Sequence, residues 1–196
     1  MCIRDRQGYG FAEVTEEYVN AFEPGDPRRK FTVASKDEEY FGAIYKNSFS
    51  STKYSPRKFL QDTSSVTQAS DGDINYTAIR YSEVLLWEAE ALNELGRTTD
   101  AQAPLELVRA RARAQADDPA TALPAISTTD QTDMRQAIRH ERQVELGFEL
   151  HRFFDLVRWG IAADVLPGFE AGKHEVFPLP QTELDLNPAL VQNGGY

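Results

Sequence analysis

Residues 77–116, TAIRYSEVLLWEAEALNELGRTTDAQAPLELVRARARAQA, carry two apolar stripes at helical spacing with one glycine between them. In the first, Ile79, Val84, Leu85, Ala89 and Leu92 fall near a 3.6-residue period, and Gly96 stops the run. In the second, Ala101, Leu105, Val108 and Ala112 share a stripe, with Thr98 or Thr99 placed to cap it. So short a turn leaves one arrangement that hides both stripes, a helix hairpin with the small side chains of Ala89 and Ala101 at the close approach. Pro104 sits early in the second helix, where it removes a backbone hydrogen bond and is expected to bend the first turns. Trp87 reads as an interior or helix-interface residue, with a partner-facing position as the lesser alternative.

A third helix is expected over 131–149, started by a capping box of Thr128 and Gln131. A shorter fourth follows through HRFFDLVRW, and the pair is expected to bury Met134, Ile138, Val144, Phe148, Phe153, Leu156, Val157 and Trp159. Upstream, FAEVTEEYVNAF (11–22) predicts a short helix capped by Thr15, with Tyr18, Val19 and Phe22 on one face. EPGDPRRK (23–30) ends it, because Pro24, Gly25 and Pro27 cannot continue a helix. Residues 31–76 have no sustained period and carry scattered aromatics, with FTVAS and FGAIY as short extended pieces. Residues 117–130 read as a linker loop, and 161–196 as an extended, turn-rich tail. The fold class expected is mainly α, with helix pairs and long irregular loops.

With 196 residues and 41% apolar content, the chain can form a real core. A net charge of −10 leaves no basic footprint, so nucleic acid is not an expected partner. No run approaches the roughly 18 apolar residues that read as a bilayer-spanning helix. The single Cys2 permits no internal disulfide, and reads as an incidental thiol. His140, His151 and His174 form no HxH or HxxxH pair, so no metal site is expected and they read as surface or capping groups. Phosphate loops, GxSxG elbows and HExxH are absent, and no cofactor is expected. MCIRDRQGYGF has no apolar core of the kind a signal peptide needs.

The densest chemistry lies in RHERQVELGFELHRFFDLVRWG (139–160), where four arginines meet four carboxylates. Glu141, Glu145 and Glu149, at i, i+4 and i+8, fall on one helix face, neighbours about 6 Å apart, near the carboxylate separation of a retaining glycosidase. Asp155 could add a fourth acid. Against this stand Arg139, Arg142, Arg152 and Arg158, with Arg142/Glu145, Arg152/Asp155 and Asp155/Arg158 all at i+3. Nearby guanidinium groups hold a carboxyl ionised, whereas a general acid needs its pKa raised. The favoured reading is therefore a structural ion-pair lattice of Arg139, Glu141, Arg142, Glu145, Glu149, Arg152, Asp155 and Arg158, with no catalytic residue. A glycoside hydrolase using Glu141 and Glu145 is the lesser alternative. The aromatics of 31–76 either anchor that long loop to its scaffold or present faces that stack on a sugar.

Four stretches resemble, in order, the C-terminal portion of the SusD/RagB family. FEPGDPRRKFT (22–32) is similar to its GDPR segment, and IRYSEVLLWEAEALNELGR (79–97) to its RYADVLLMYAEAxNE helix. RHERQVELGFELHRFFDLVRWG resembles the ERxxELAFEGHRxFDLxRWG block, and FPLPQTELDLNPALVQNGGY the PIPxxEIxxNPxLxQNPGY terminus. Residues 15–196 are covered; residues 1–14, with MCIRDR at their start, match nothing. Leu150 stands where the family commonly has Gly, predicting a softer break between the third and fourth helices. Gly147 replaces a common Ala, and Gly194 a Pro.

The resemblance implies tetratricopeptide-like helix pairs, one at 77–116 and a second at 131–160, in a C-terminal fragment of a longer protein. It implies a surface lipoprotein of the outer membrane, whose signal and lipidation site are absent from this chain. Such a protein binds oligosaccharide, or in some branches peptide, without catalysis, and delivers it to a TonB-dependent SusC-like transporter. None of the four motifs is a ligand motif, so the ligand-binding candidates are the loop aromatics Tyr40, Tyr45 and Tyr54. A stand-alone tetratricopeptide-like interaction module is the alternative, but it would need at least three helix pairs, and two are counted.

Overall fold

Thr15 turns the chain into its first helix, α1 (Glu16–Asn20): its Oγ1 accepts a hydrogen bond from the Tyr18 amide at 3.2 Å. The structure, a computed structural model, describes residues 12–66, 72 and 74–196. Cys2, the MCIRDR segment and Phe11 lie outside the described residues, as do 67–71 and 73 of the irregular stretch. The molecule is mostly helical. It divides into two compact units, Met1–Glu149 and Leu150–Tyr196, so the division falls inside the helix pair expected at 131–160.

In the first unit, the GDPR segment does more than stop α1. Pro27, at φ −66°, leads directly into a one-turn helix, α2 (Arg28–Thr32). Two strands of the irregular stretch, β1 (Val33–Ala34) and β4 (Ser55–Pro56), pair antiparallel with Val33 opposite Pro56. Between them β2 (Glu39–Tyr40) and β3 (Ala43–Ile44) form a hairpin. Its two turn residues, Phe41 and Gly42, both have positive φ, the backbone that matches the twist of a tight hairpin. FTVAS is thus helical at its start and extended only after Thr32.

The hairpin read from residues 77–116 is present as α3 (Tyr81–Glu94) and α4 (Thr98–Arg113). Gly96, at φ +75°, lets the Arg97 amide reach back to Leu92 O at 2.9 Å while Gly96 N bonds Asn93 O at 3.0 Å, closing α3 in a Schellman turn. Ala89 and Ala101 are both 0% exposed at the contact. With Leu85, Leu86, Leu105, Val108, Met134 and Ile138 they form the main core cluster, to which α5 (Gln131–Glu145) contributes. α4 runs through Pro104 without a break in its helical span.

Several local expectations are corrected. Val84 is exposed and Leu86 takes its place in the core. Trp87 is 41% exposed, sharing an outer apolar face of α3 with Tyr81, Val84 and Leu95. Thr98 does not cap α4; it is the first helical residue, and its hydroxyl donates to Asn93 Oδ1 at 2.9 Å. Asn93 also bonds Gln131 O and receives the Gln131 side chain, so one buried amide ties three helix ends together. Asp130 caps α5 by accepting from Thr132 N and Asp133 N, and the helix ends at Glu145, four residues earlier than expected. Met134 and Ile138 join the α3–α4 core, whereas Val144 and Phe148 pack with Val14, Val19, Phe22 and Val33. Gly147 lies against the Tyr18 phenol, where an added Cβ would overlap the hydroxyl.

In the second unit, α6 (Arg152–Arg158) and α7 (Ala162–Val165) precede a tail that contains a further helix, α8 (Gln181–Leu186). The tail is therefore not wholly extended. Its last residues fold back: the Gln192 amide bonds both N and O of Leu179, at 2.8 and 2.9 Å, and Tyr196 Oη donates to Val176 O. The break expected to soften at Leu150 is abrupt, because Phe148 and Leu150 both adopt left-handed backbone at φ 64° and 65°.

Two stability tests follow. Ala101→Leu has no room at the hairpin contact and is expected to cost about 1–3 kcal/mol in urea unfolding, whereas Ala103→Leu, at an exposed position of the same helix, should cost almost nothing. Leu150→Gly removes a left-handed penalty of about 1–2 kcal/mol and loses part of that to chain entropy, so its melting temperature should rise slightly.

Candidate functional site

Arg28 is the organising side chain of the first unit. Asp26 accepts from its backbone amide at 2.9 Å and grips its guanidinium through Nε and Nη2, the latter at 2.7 Å, so Pro27 only has to hold the turn. The remaining Nη1 points across the fold to Glu141 Oε1 and, at 3.0 Å, to Glu145 Oε2. All four of these residues are buried.

Other cations complete the network. Arg109, on the buried face of α4, spends its donors on Glu141 Oε2 at 2.8 Å, on Glu23, and on Pro124 O. Arg80 bridges Glu145 Oε1 at 2.6 Å and both oxygens of Glu149 at 2.6 and 2.9 Å. Arg111 Nη2 lies 2.8 Å from both oxygens of Glu145. Lys58 bonds Glu145 O and Glu149 Oε1. Residues from five separate stretches of the first unit are thus joined through three carboxylates.

The electrostatics follow from this geometry. Burial pushes the Glu145 carboxyl up, but Arg80, Arg111 and Arg28 outweigh it and hold the pKa at about 2. Glu149 is likewise held below the usual carboxylate range, against its own burial, by hydrogen bonds from Arg80 and Lys58. Glu23 is lowered by the bond from Arg109. A carboxylate held ionised in this way has no proton to give a leaving group near neutral pH, which removes Glu145 from the role of general acid.

The three glutamates chosen from the sequence are at the centre, but the cations that engage them come from elsewhere. Glu149 lies beyond the end of α5, not on its face. Arg142 approaches Glu83 at 3.8 Å. Arg158 and Asp155 make the expected i+3 pair in the second unit, with Nε–Oδ1 3.0 Å, and Arg152 and Arg158 lie over the Trp159 ring. Arg139 is half-buried on α5. Arg28, Lys58, Arg80, Arg109 and Arg111 were missed. One signal was available: Arg109 falls between Leu105, Val108 and Ala112 on the buried stripe of α4, and a charge there needs a distant partner.

Above the network opens a cleft of about 320 Å³, walled by Phe31, Lys58, Phe59, Arg80, Arg111 and Gln115 and floored by Arg28, Glu145 and Glu149. The rings of Phe31 and Phe59 are 49% and 40% exposed. The tyrosines selected from the sequence lie elsewhere. Tyr45 is 2% exposed with its hydroxyl 2.8 Å from Ser55 Oγ, and Tyr40 is buried beneath the Arg57 guanidinium. Tyr54 is half-buried against the α1 cluster. All three rings contribute to packing inside the first unit.

The second unit has its own apolar cleft of about 400 Å³ among Phe153, Leu166, Phe169, His174, Phe177 and Tyr196. His174 Nδ1 accepts from the Glu170 amide, a capping role. Among the described residues, no three His, Cys, Asp or Glu side chains are grouped to hold a metal ion. No helix among them is long and apolar enough to cross a membrane.

Comparison with known proteins sets this arrangement in context. The sequence matches the profile of the SusD family over residues 4–175. It is 29% identical to SusD-like protein P25 of Formosa agariphila across 96% of this chain and 36% of that one. Two solved structures are similar in fold. A SusD superfamily protein from Bacteroides vulgatus has a TM-score of 0.79 and 25% identity, over 97% of this chain and 46% of its own. Surface glycan-binding protein A from Bacteroides fluxus has a TM-score of 0.76 and 25% identity, over 100% of this chain and 42% of its own. The chain therefore spans about a third of the length of that curated relative, and under half of either solved one.

The depressed pKa makes a testable statement about stability. Above the ordinary value of 4.5, Glu145 is ionised in both folded and unfolded states and its contribution is complete. As pH falls from there to about 2, the unfolded chain takes up the proton first, so the contribution drains away. Its size is on the order of 3 kcal/mol. Glu145→Gln is expected to be markedly less stable than the parent at pH 7, with the gap closing between pH 4.5 and 2 in urea unfolding. A gap that stays constant down to pH 2 would sink the assignment.

Proposed function

This chain belongs to the SusD family, and on that premise we propose that it is part of a protein that captures oligosaccharides at the outer cell surface without altering them, for delivery to a TonB-dependent SusC-like transporter. One observation carries the reading. A solved protein named as a surface glycan-binding protein shares this fold over the whole chain at 25% identity. The electrostatics support a binding role, since the carboxylates that could have served a glycosidase are locked in guanidinium forks and Glu145 is held at about 2. The protein sits, on this reading, in the outer membrane as a lipid-anchored surface protein, with peptide as the lesser ligand class.

A second reading, a protein-interaction module, draws on the outer face of α3, where Tyr81, Val84, Trp87 and Leu95 are all exposed. It differs from glycan capture in what α3 variants should do. Trp87→Ser would abolish a partner's binding and leave glycan affinity intact.

The test is calorimetric titration with a panel of neutral and acidic oligosaccharides, run beside an assay for aglycone release from aryl-glycosides. Binding without release is expected, and Glu145→Gln should change stability more than affinity at temperatures where the protein stays folded. Turnover that disappears in Glu145→Gln would overturn the capture reading.

A further inference from the structure

We infer that the cleft above the ion-pair network takes an anionic saccharide, whose acidic group lies between Arg111 and Lys58 while its ring stacks on Phe59 and Phe31. The inference rests on the glycan-capture reading and narrows it to a ligand class and a place.

Most of the donors around the cleft are spent within the network. Arg80 gives all five of its donors to Ser82, Glu145 and Glu149, and the buried Arg28 gives four of its five to Asp26, Glu141 and Glu145. Arg111 is different. Its side chain is 51% exposed, and among the described residues all its hydrogen bonds leave from Nη2, toward Glu145. Nε and Nη1 remain for a ligand. Lys58 uses its ammonium on Glu145 O and Glu149 Oε1, which leaves one of its three protons. Two cations with unused donors therefore stand on the wall of one cleft.

Charge and shape then select the ligand. Four cations line the cleft, Arg28, Lys58, Arg80 and Arg111, and the four carboxylates they engage, Asp26, Glu141, Glu145 and Glu149, balance them. What favours an anion is therefore the unused donors of Arg111 and Lys58, charged groups that bind carboxylate or sulfate oxygens. The chain as a whole carries −10, so its long-range field recruits no anion, and recognition has to come from short-range bonds inside the cleft. The half-exposed rings of Phe31 and Phe59 supply apolar faces of the kind that cover a sugar's C–H surface. At about 320 Å³ the cleft lies at the small end of ligand sites, with room for about one or two sugar rings. Carboxylate and sulfate ester present the same chemistry to a guanidinium.

The experiment is titration of the protein with trigalacturonate, its fully methyl-esterified form and a galactose disaccharide bearing one sulfate ester. Binding of the carboxylated trimer at least tenfold tighter than its ester is expected. The sulfated disaccharide shows whether sulfate serves as well. Arg111→Gln should lower affinity for the acid at least tenfold. Because Arg111 also touches Glu145, Gln115→Glu is the second variant: it places a carboxylate at an exposed position on the cleft wall without disturbing the network, and it too should weaken the acid and spare the ester. Equal binding of acid and ester overturns the inference and leaves glycan capture standing. Acid binding unmoved by both variants overturns it too, by placing the site elsewhere. No binding by any saccharide, neutral or acidic, overturns the capture reading and the inference together.

Discussion

A guanidinium is costly to bury unless its charge is answered and most of its donors are bonded, and Arg28 is buried. Everything else in the first unit is arranged around that requirement. Asp26 answers one side from two residues away, and Glu141 and Glu145 answer the other from the far end of the chain. Bringing those glutamates inside creates a second demand, met by Arg80, Arg109 and Arg111. Breaking one member of such a network is costly, yet replacing the whole of it by apolar packing is often neutral, because desolvation offsets much of the attraction. The network's effect is on geometry. Each bidentate fork admits one relative placement of its elements, so α2, α4, α5 and the approach to α3 are held in fixed register beneath the cleft.

The apolar core does a different job and can be separated from this. Leu85, Leu86, Ala89, Leu105, Val108, Met134 and Ile138 bury the faces of three helices and supply the bulk of the driving force. Packing of that kind tolerates small slides between helices. The polar tie at Asn93 and the ion pairs do not, so the buried charges fix placements that packing alone would leave loose.

How much of this was legible in the sequence depended on the distance between partners. The α3–α4 hairpin was visible because its period, its glycine and its alanines are local signals, and Gly96 closes the turn as a Schellman motif demands. The three glutamates were visible as a cluster. Their long-range cations were not, because spacing rules reach only four residues. The side chains seen to engage Glu145 lie 34 to 117 residues away. The burial of Tyr40 and Tyr45 was hidden for a related reason. Composition showed that the loop is aromatic, but which rings turn inward is decided by the β2–β3 hairpin and the pairing of β1 with β4. The exposed rings, Phe31 and Phe59, owe their positions to those same turns.

The separation between Arg28 and its glutamates, 113 and 117 residues, also sets an order of events during synthesis. The hairpin and the GDPR turn can form as they emerge, since their contacts are local. Arg28 cannot be satisfied until Glu145 has left the ribosome, roughly 6 to 23 s later at 5–20 residues per second. For that interval its charge has only Asp26 and water, so α2 has no reason to settle onto the core. The long-range ion pairs therefore close after the local turns, and a ribosome pause before α5 has emerged prolongs the open state, whereas one after Glu149 has emerged does not.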